Sequence, residues 1–198
     1  DLRKLLSFHA VSQVGYMVLG IGTGTPIGIA GGLFHMLNHA MYKTGLFLTA
    51  GAVERRAGTM DIARLGGLGR AMPVTFAAFA VCALAISGIP PLNGFVSKWM
   101  VYQALVEAGI GRYWLFLVAA MFGSALTVAS FVKVAHGVFL GEMPRGLNGV
   151  SEVGPAMRFA PAVLATLCVV FGIAAQVPLA RFIGPAVGMA FPSFPDAL

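Results

Sequence analysis

Long apolar runs, rather than alternating or heptad patterns, organise this chain. No Asp, Glu, Lys or Arg falls between Lys4 and Lys43, between Arg70 and Lys98, between Arg112 and Lys133, or between Arg158 and Arg181. A hydrocarbon core of about 30 Å calls for about 20 apolar residues per helix, and these runs are far longer than barrel strands. The pattern predicts an all-α polytopic membrane bundle of about five transmembrane helices. The first run is too long for one span and is interrupted by Gly22-Thr23-Gly24-Thr25-Pro26-Ile27-Gly28, which reads as a turn. Its spacing fits neither a dinucleotide nor a phosphate loop. Helices are therefore expected over 5–21, 29–52, 73–108, 113–139 and 159–180.

The third is broken at Ser87-Gly88-Ile89-Pro90-Pro91-Leu92-Asn93-Gly94, because adjacent prolines remove backbone donors. Either 73–108 is one discontinuous span or it is two short spans with the Pro-Pro turn outside. The roughly 14 residues after the break are short for a crossing, which favours one discontinuous span. Interrupted backbone at membrane depth is tolerated where it lines a polar cavity. Residues 1–183 are thus expected to form one transmembrane domain, and 184–198, with Pro185, Pro192 and Pro195, an irregular extracytoplasmic tail. The chain starts at Asp1 without Met or a signal-peptide pattern and is expected to be a segment of a longer protein.

Composition agrees with the pattern. Apolar residues make up 58% of the 198 and charged residues 10%, and mean hydropathy is +0.86. Soluble domains carry about 25% charged residues, so a soluble enzyme, a nucleic-acid binder and a disordered tail are all disfavoured. Cys82 and Cys168 lie in apolar runs and read as small buried hydrophobes. The net charge of +6 bears on sidedness. With one discontinuous span, Arg3, Lys4, Arg55, Arg56, Arg64, Arg70, Arg145 and Arg158 share a side against Arg112 and Arg181. With two spans, Arg112 and Arg181 trade places with Arg145 and Arg158. Under both, the N-terminus and the 54–72 loop are expected in the cytoplasm.

Lys43, Lys98 and Lys133 remain, all within apolar helices. An ionisable group at the bilayer centre costs about 3 kcal/mol or more and is a functional hypothesis by default. His35, His39 and Lys43 recur every four residues, on one helix face, as a ladder about 12 Å long flanked by Asn38 and Tyr42. A metal site is disfavoured, since the Glu of H-E-x-x-H and a third ligand are missing. A packing stripe is the plain alternative. A proton relay is preferred, because histidine titrates near neutrality and a desolvated lysine is drawn towards that range. His9, Ser12, Gln13 and Tyr16 form a second stripe, for which interhelical hydrogen bonding suffices at Ser12 and Gln13. His9 reads equally as a proton entry or a headgroup contact. Lys98 follows the break within a turn, which favours a hydrated cavity over lipid. Lys133 and His136 sit near a helix end and read first as snorkelling side chains, second as pathway groups. No motif for NADH, flavin, iron–sulfur or quinone is present, so no cofactor is expected.

Three blocks resemble one family. They are Ser7-Phe8-His9-Ala10-Val11-Ser12-Gln13-Val14-Gly15-Tyr16-Met17, then Phe34-His35-Met36-Leu37-Asn38-His39-Ala40-Met41-Tyr42-Lys43 with Gly51-Ala52-Val53-Glu54-Arg55-Arg56, and Gly88-Ile89-Pro90-Pro91-Leu92-Asn93-Gly94-Phe95-Val96-Ser97-Lys98-Trp99. Together they are similar to the antiporter-like subunits of respiratory complex I, Mrp-type cation/proton antiporters and energy-converting membrane-bound hydrogenases. The match covers residues 1–108; beyond Arg112 it rests on helix pattern alone. The resemblance implies the second half of a fold of about fourteen helices built as two inverted repeats. It matches His35, His39 and Lys43 to the hydrated central axis and Lys98 to the lysine or glutamate of a broken helix at the channel exit. His9 lies in a matching block. The family's glutamate–lysine pair and central lysine belong to the first repeat, outside this chain. The implied function is a proton-translocating subunit of a redox-driven pump resembling NADH-quinone oxidoreductase or membrane-bound hydrogenase, with other membrane subunits, the bilayer and protons as partners and no nucleic acid. The alternatives are an Mrp-type antiporter subunit moving Na⁺ and a scaffold without transport. The Pro-Pro-Leu-Asn-Gly-Phe-Val-Ser-Lys-Trp wording leans towards hydrogenase-type or Mrp-type relatives.

Overall fold

A computed structural model describes residues 1–188, apart from the side chains of Ile110 and Arg112. All elements among them are helical: α1 (Leu2–Gly22), α2 (Pro26–Ala57), α3 (Leu68–Ala71), α4 (Pro73–Ser87), α5 (Asn93–Glu107), α6 (Ile110–Ala135), α7 (Pro155–Ile173), α8 (Gln176–Pro178) and α9 (Gly184–Gly188). A π-helical turn, His136–Leu140, extends α6, and another, Leu179–Ile183, joins α8 to α9. Leu2–Gly22, Tyr113–Leu140 and Pro155–Ile173 are long and apolar enough to cross a membrane.

Local chemistry sets the boundaries. Asp1 caps α1 by accepting from the Lys4 amide at 3.1 Å. The α1–α2 turn closes with Thr25, whose hydroxyl accepts from the Gly28 amide at 3.1 Å, and Pro26 opens α2. This cap starts α2 three residues before the expected 29. Its charged end, Glu54-Arg55-Arg56, carries it to Ala57, beyond the expected 52. The helix expected over 159–180 instead ends at Ile173, where Ala174 leaves the helical region (φ −109°, ψ 44°), and helical structure resumes at Gln176. Of the tail expected to be irregular, Gly184–Gly188 is helical and 189–198 lies outside the described residues.

The question of one span or two is settled by the contacts along α2. A Cβ on Gly45 would stand 2.6 Å from Cys82 Sγ of α4. Asn38 then bonds Asn93, His35 bonds Ser97, and Gly31 packs on Met100 and Val101 of α5. Positions descend along α2 as they rise from 82 to 101, so α4 and α5 together make one interrupted traverse antiparallel to α2. The N-terminus meets the 58–72 loop through Leu2 N to Met60 O at 2.9 Å, and that loop packs its Gly66 and Gly67 on Glu142 and Met143. One end of the bundle thus holds the N-terminus and the 58–72 and 141–154 loops. The 174–188 segment packs Leu179, Ile183 and Val187 against Ala30, Phe34 and Met100 at the other.

Polarity is inverted relative to a soluble domain. Phe8, Phe122, Phe159 and Ile173 face outward, while Gln13, His35, Asn38, Lys43, Asn93, Ser97 and Lys98 are buried. Such an outer face suits hydrocarbon, and the polar interior demands internal partners.

Candidate functional site: a polar seam beside the broken helix

The break exposes two carbonyls for a readable reason. In an uninterrupted helix, Ile86 O and Ser87 O would accept from the amides four residues on, at positions 90 and 91. Both are proline and have no N–H. Gly88, at φ 81°, turns the chain out of α4, and Lys98 returns from α5 to meet the two carbonyls at 2.9 and 3.4 Å. A cation at the carbonyl end of a helix also lies with the helix dipole. Lys98 is only 2% exposed, and its ammonium lies over the Tyr16 ring, 4.8 Å from the centroid.

The break is fixed on both flanks. Asn93 Nδ2 donates to Asn38 Oδ1 at 3.0 Å, and Asn38 Nδ2 donates to Asn93 O at 3.0 Å, a reciprocal clamp to α2. On the far flank Gly172 of α7 packs so closely that a Cβ would overlap the Pro91 carbonyl. At Gly94 a Cβ would overlap the Ala85 carbonyl. Sequence reasoning missed Gly172; its only trace was a glycine inside an otherwise bulky apolar run.

From Asn93 the seam continues along α2. His35 is fully buried, with Nδ1 2.9 Å from Ser97 Oγ and Nε2 3.2 Å from Gln13 Oε1 and 3.3 Å from the Tyr42 hydroxyl. Gln13 Oε1 can only accept, so Nε2 carries the imidazole proton in this arrangement and Nδ1 accepts from the Ser97 hydroxyl. Gln13, Ser97 and the Asn38–Asn93 pair therefore belong to the site. Their hydrogen-bonding side chains at helical spacing are the signal, read for Gln13 as interhelical hydrogen bonding. His39 is half-buried, and its ring stands edge-on to Tyr42 at 5.5 Å between centroids, with Tyr42 6.3 Å from His35. Lys43, 7% exposed, turns towards α1 and donates to the Leu6 carbonyl. Three buried polar atoms of the seam have no protein partner: Gln13 Nε2, His39 Nε2 and Asn93 Oδ1.

The other sequence candidates lie elsewhere. His9 Nε2 bonds Ser130 Oγ of α6 at 2.8 Å and its ring packs on Phe131. Ser12 of the same stripe is exposed, whereas Gln13 and Tyr16 face inward. Lys133 is exposed on α6. His136, also exposed, lines a separate cavity of about 890 Å³ with Arg70 and Glu142, next to the 58–72 loop. Neither joins the central seam.

Known proteins share this sequence pattern and fold. The family model described as NADH:quinone oxidoreductase/Mrp antiporter, TM, matches residues 1–127. Hydrogenase-4 component B of Escherichia coli is 38% identical over 198 aligned residues, covering 89% of this chain and 29% of that protein. Among solved structures, the Mrp complex from Dietzia sp. aligns with a TM-score of 0.83 at 29% identity, over 92% of this chain and 41% of its counterpart. Respiratory complex I from Thermus thermophilus aligns with a TM-score of 0.83 at 28% identity, over 98% of this chain and 40% of its counterpart. The chain spans about a third of the length of the curated relatives it matches. A multi-pass membrane bundle with a proline-broken helix, matched by the family model over well more than half its length, belongs to the NADH:quinone oxidoreductase/Mrp antiporter transmembrane family.

Proposed function

We propose that this chain is part of a proton-translocating membrane subunit, working beside other membrane subunits of a redox-driven complex of the NADH-quinone oxidoreductase or membrane-bound hydrogenase kind. The observation that carries the reading is the run of titratable and hydroxyl groups from Lys43 through half-buried His39 and fully buried Tyr42 and His35 to Lys98, inside a bundle whose outer face is apolar. Desolvating such groups is costly, and in membranes they mark ion and proton paths. The unpartnered atoms on Gln13, His39 and Asn93 support it further, because unpaired buried groups cost about 1–3 kcal/mol each and are met by water when the seam is hydrated.

In this mechanism protons pass along waters between Lys43, His39 and His35 and reach Lys98. Lys98 is suited to switching. As an ammonium it has three N–H donors, two for the Ile86 and Ser87 carbonyls and one spare; as an amine it keeps two N–H donors and gains a lone pair. Both states can therefore hold the broken helix, and a change in nearby charge decides which is favoured. His35 transmits by taking up a proton at Nδ1 on the Ser97 side and releasing the one on Nε2 towards Tyr42. By the positive-inside rule, the end holding the N-terminus and the 58–72 loop is cytoplasmic. His9 and His136 stand near that end, beside Ser130 and Arg70, and are secondary candidates for proton entry; exposed Lys133 fits a snorkelling role better.

The test uses the full-length protein in its complex, reconstituted in vesicles. His39→Ala should lower proton translocation by about tenfold or more while assembly persists. Wild-type translocation in the assembled variant would contradict the reading. A pH gradient that requires Na⁺ and no electron donor would instead support the Mrp-type antiporter reading.

A further inference from the structure

Beyond the seam, Lys98 faces a second hydroxyl series. The Tyr16 ring that receives its ammonium carries a phenol that donates to the Ala120 carbonyl of α6 at 2.5 Å and lies 2.9 Å from Ser124 Oγ. Ser124 Oγ is in turn 2.8 Å from the Tyr102 hydroxyl of α5. Tyr102 lines an open groove of about 500 Å³ between α5 and α6, whose wall is mostly apolar (Trp99, Val106, Leu117 and Met121) with Gln103 and Glu107 as its other polar members. Three hydroxyls from three helices thus run in series from a buried lysine to an open groove holding a carboxylate.

The donors in this series are fixed by counting. A carbonyl has no hydrogen, so the single Tyr16 proton belongs to the bond with Ala120. Ser124 must then donate to the Tyr16 oxygen, and Tyr102 to Ser124. Every O–H points from the groove inward, and the series ends on a carbonyl that cannot pass a proton on. The arrangement connects Lys98 to the groove only when the Tyr16 hydroxyl leaves Ala120.

We propose that Tyr16, Ser124 and Tyr102 form the proton outlet of Lys98, with the Tyr16–Ala120 hydrogen bond as its closed position. This rests on the proton-translocating reading above. On opening, the three O–H groups point outward. The Lys98 ammonium then loses a proton through one bridging water to the Tyr16 oxygen, becoming an amine. Tyr16 passes its own proton to Ser124, Ser124 to Tyr102, and Tyr102 to water in the groove beside Glu107. One proton leaves Lys98, one appears in the groove, and each hydroxyl ends neutral and pointing inward. Returning Tyr16 to Ala120 restores the closed arrangement and hinders backflow.

The test compares Ser124→Ala, Ser124→Thr, Tyr102→Phe and Lys98→Ala in the full-length protein within its complex, measuring translocation in vesicles alongside assembly. Ser124→Ala and Tyr102→Phe should each lose about tenfold or more of translocation, and Ser124→Thr, which keeps the hydroxyl, should retain most of it. Wild-type translocation in Ser124→Ala and Tyr102→Phe, with Lys98→Ala impaired, would overturn the outlet and leave the proposed function standing. Equal loss in Ser124→Ala and Ser124→Thr would assign Ser124 to packing and also overturn it. Wild-type translocation in Lys98→Ala would overturn the function itself.

Discussion

Buried polar side chains here work as substitutes for missing backbone partners. Lys98 replaces the two amide donors that Pro90 and Pro91 lack. Glu152 does the same at the opposite end of α4, which has no side-chain cap of its own. Its carboxylate accepts from the Val74 amide at 2.9 Å, the Thr75 amide at 3.1 Å and the Thr75 hydroxyl at 2.6 Å, reaching across from the 141–154 loop. Partial burial pushes the Glu152 carboxyl up, but the bonds from Thr75, Val153 and Val74 outweigh it and hold the group below the usual carboxylate range. A lowered native value means that its stabilisation is present above the ordinary glutamate value of about 4.3 and is lost as pH falls through the native value. Glu152→Gln in the full-length protein is therefore expected to cost about 0.5–2 kcal/mol at pH 7. Thermal unfolding of the solubilised protein across pH checks this: the gap between wild type and variant should narrow as pH falls below the ordinary glutamate value of about 4.3 and close once it has passed the lowered native value. A gap independent of pH would mean that the charge plays no part.

At the scale of elements, α4 and α5 are one helix cut in two, and the cut is held by shape as much as by bonds. Gly172 lets α7 lie against Pro91 and Leu92, so Gly172→Ala must push the break away from α7. It is expected to cost about 1–3 kcal/mol, the usual penalty of overpacking. Gly51→Ala on α2, where a Cβ meets nothing within 4 Å, should be neutral or stabilising by up to about 1 kcal/mol. Thermal unfolding of both variants, measured side by side, checks the pair; equal stability would remove the packing argument. Sequence reasoning reached the break itself, because adjacent prolines forbid a continuous helix whatever surrounds them. It also reached the shared face of His35, His39 and Lys43, because helical periodicity is local. It could not reach Gly172, Ser97, Ser124 or Glu152, whose roles depend on a neighbour more than twenty residues away. Nor did it place the end of α7, where Ala174 departs from helical geometry inside an uninterrupted apolar run.

For the whole molecule, the absence of charge from long runs was enough to identify membrane helices, and of the three lysines inside them Lys43 and Lys98 lie on the seam while Lys133 is exposed. Sidedness is the global property the seam depends on. The N-terminus and the 58–72 and 141–154 loops share one end, which the proposed function assigns to the cytoplasm by the positive-inside rule. Cys82 and Cys168 are both buried and add little labelling background to an engineered cysteine in this chain. A membrane-impermeant maleimide should label Arg64→Cys only from the cytoplasmic side and Gln176→Cys only from the opposite side; the reverse would invert the proposed direction of entry and exit. The central claim is that Lys98 carries the transported proton at the break. Proton translocation by Lys98→Ala, in the full-length protein within an assembled complex and normalised to electron transfer, addresses it most directly. The account predicts a fall of about tenfold or more with assembly retained, which also excludes a scaffold without transport. Translocation at the wild-type level would contradict it.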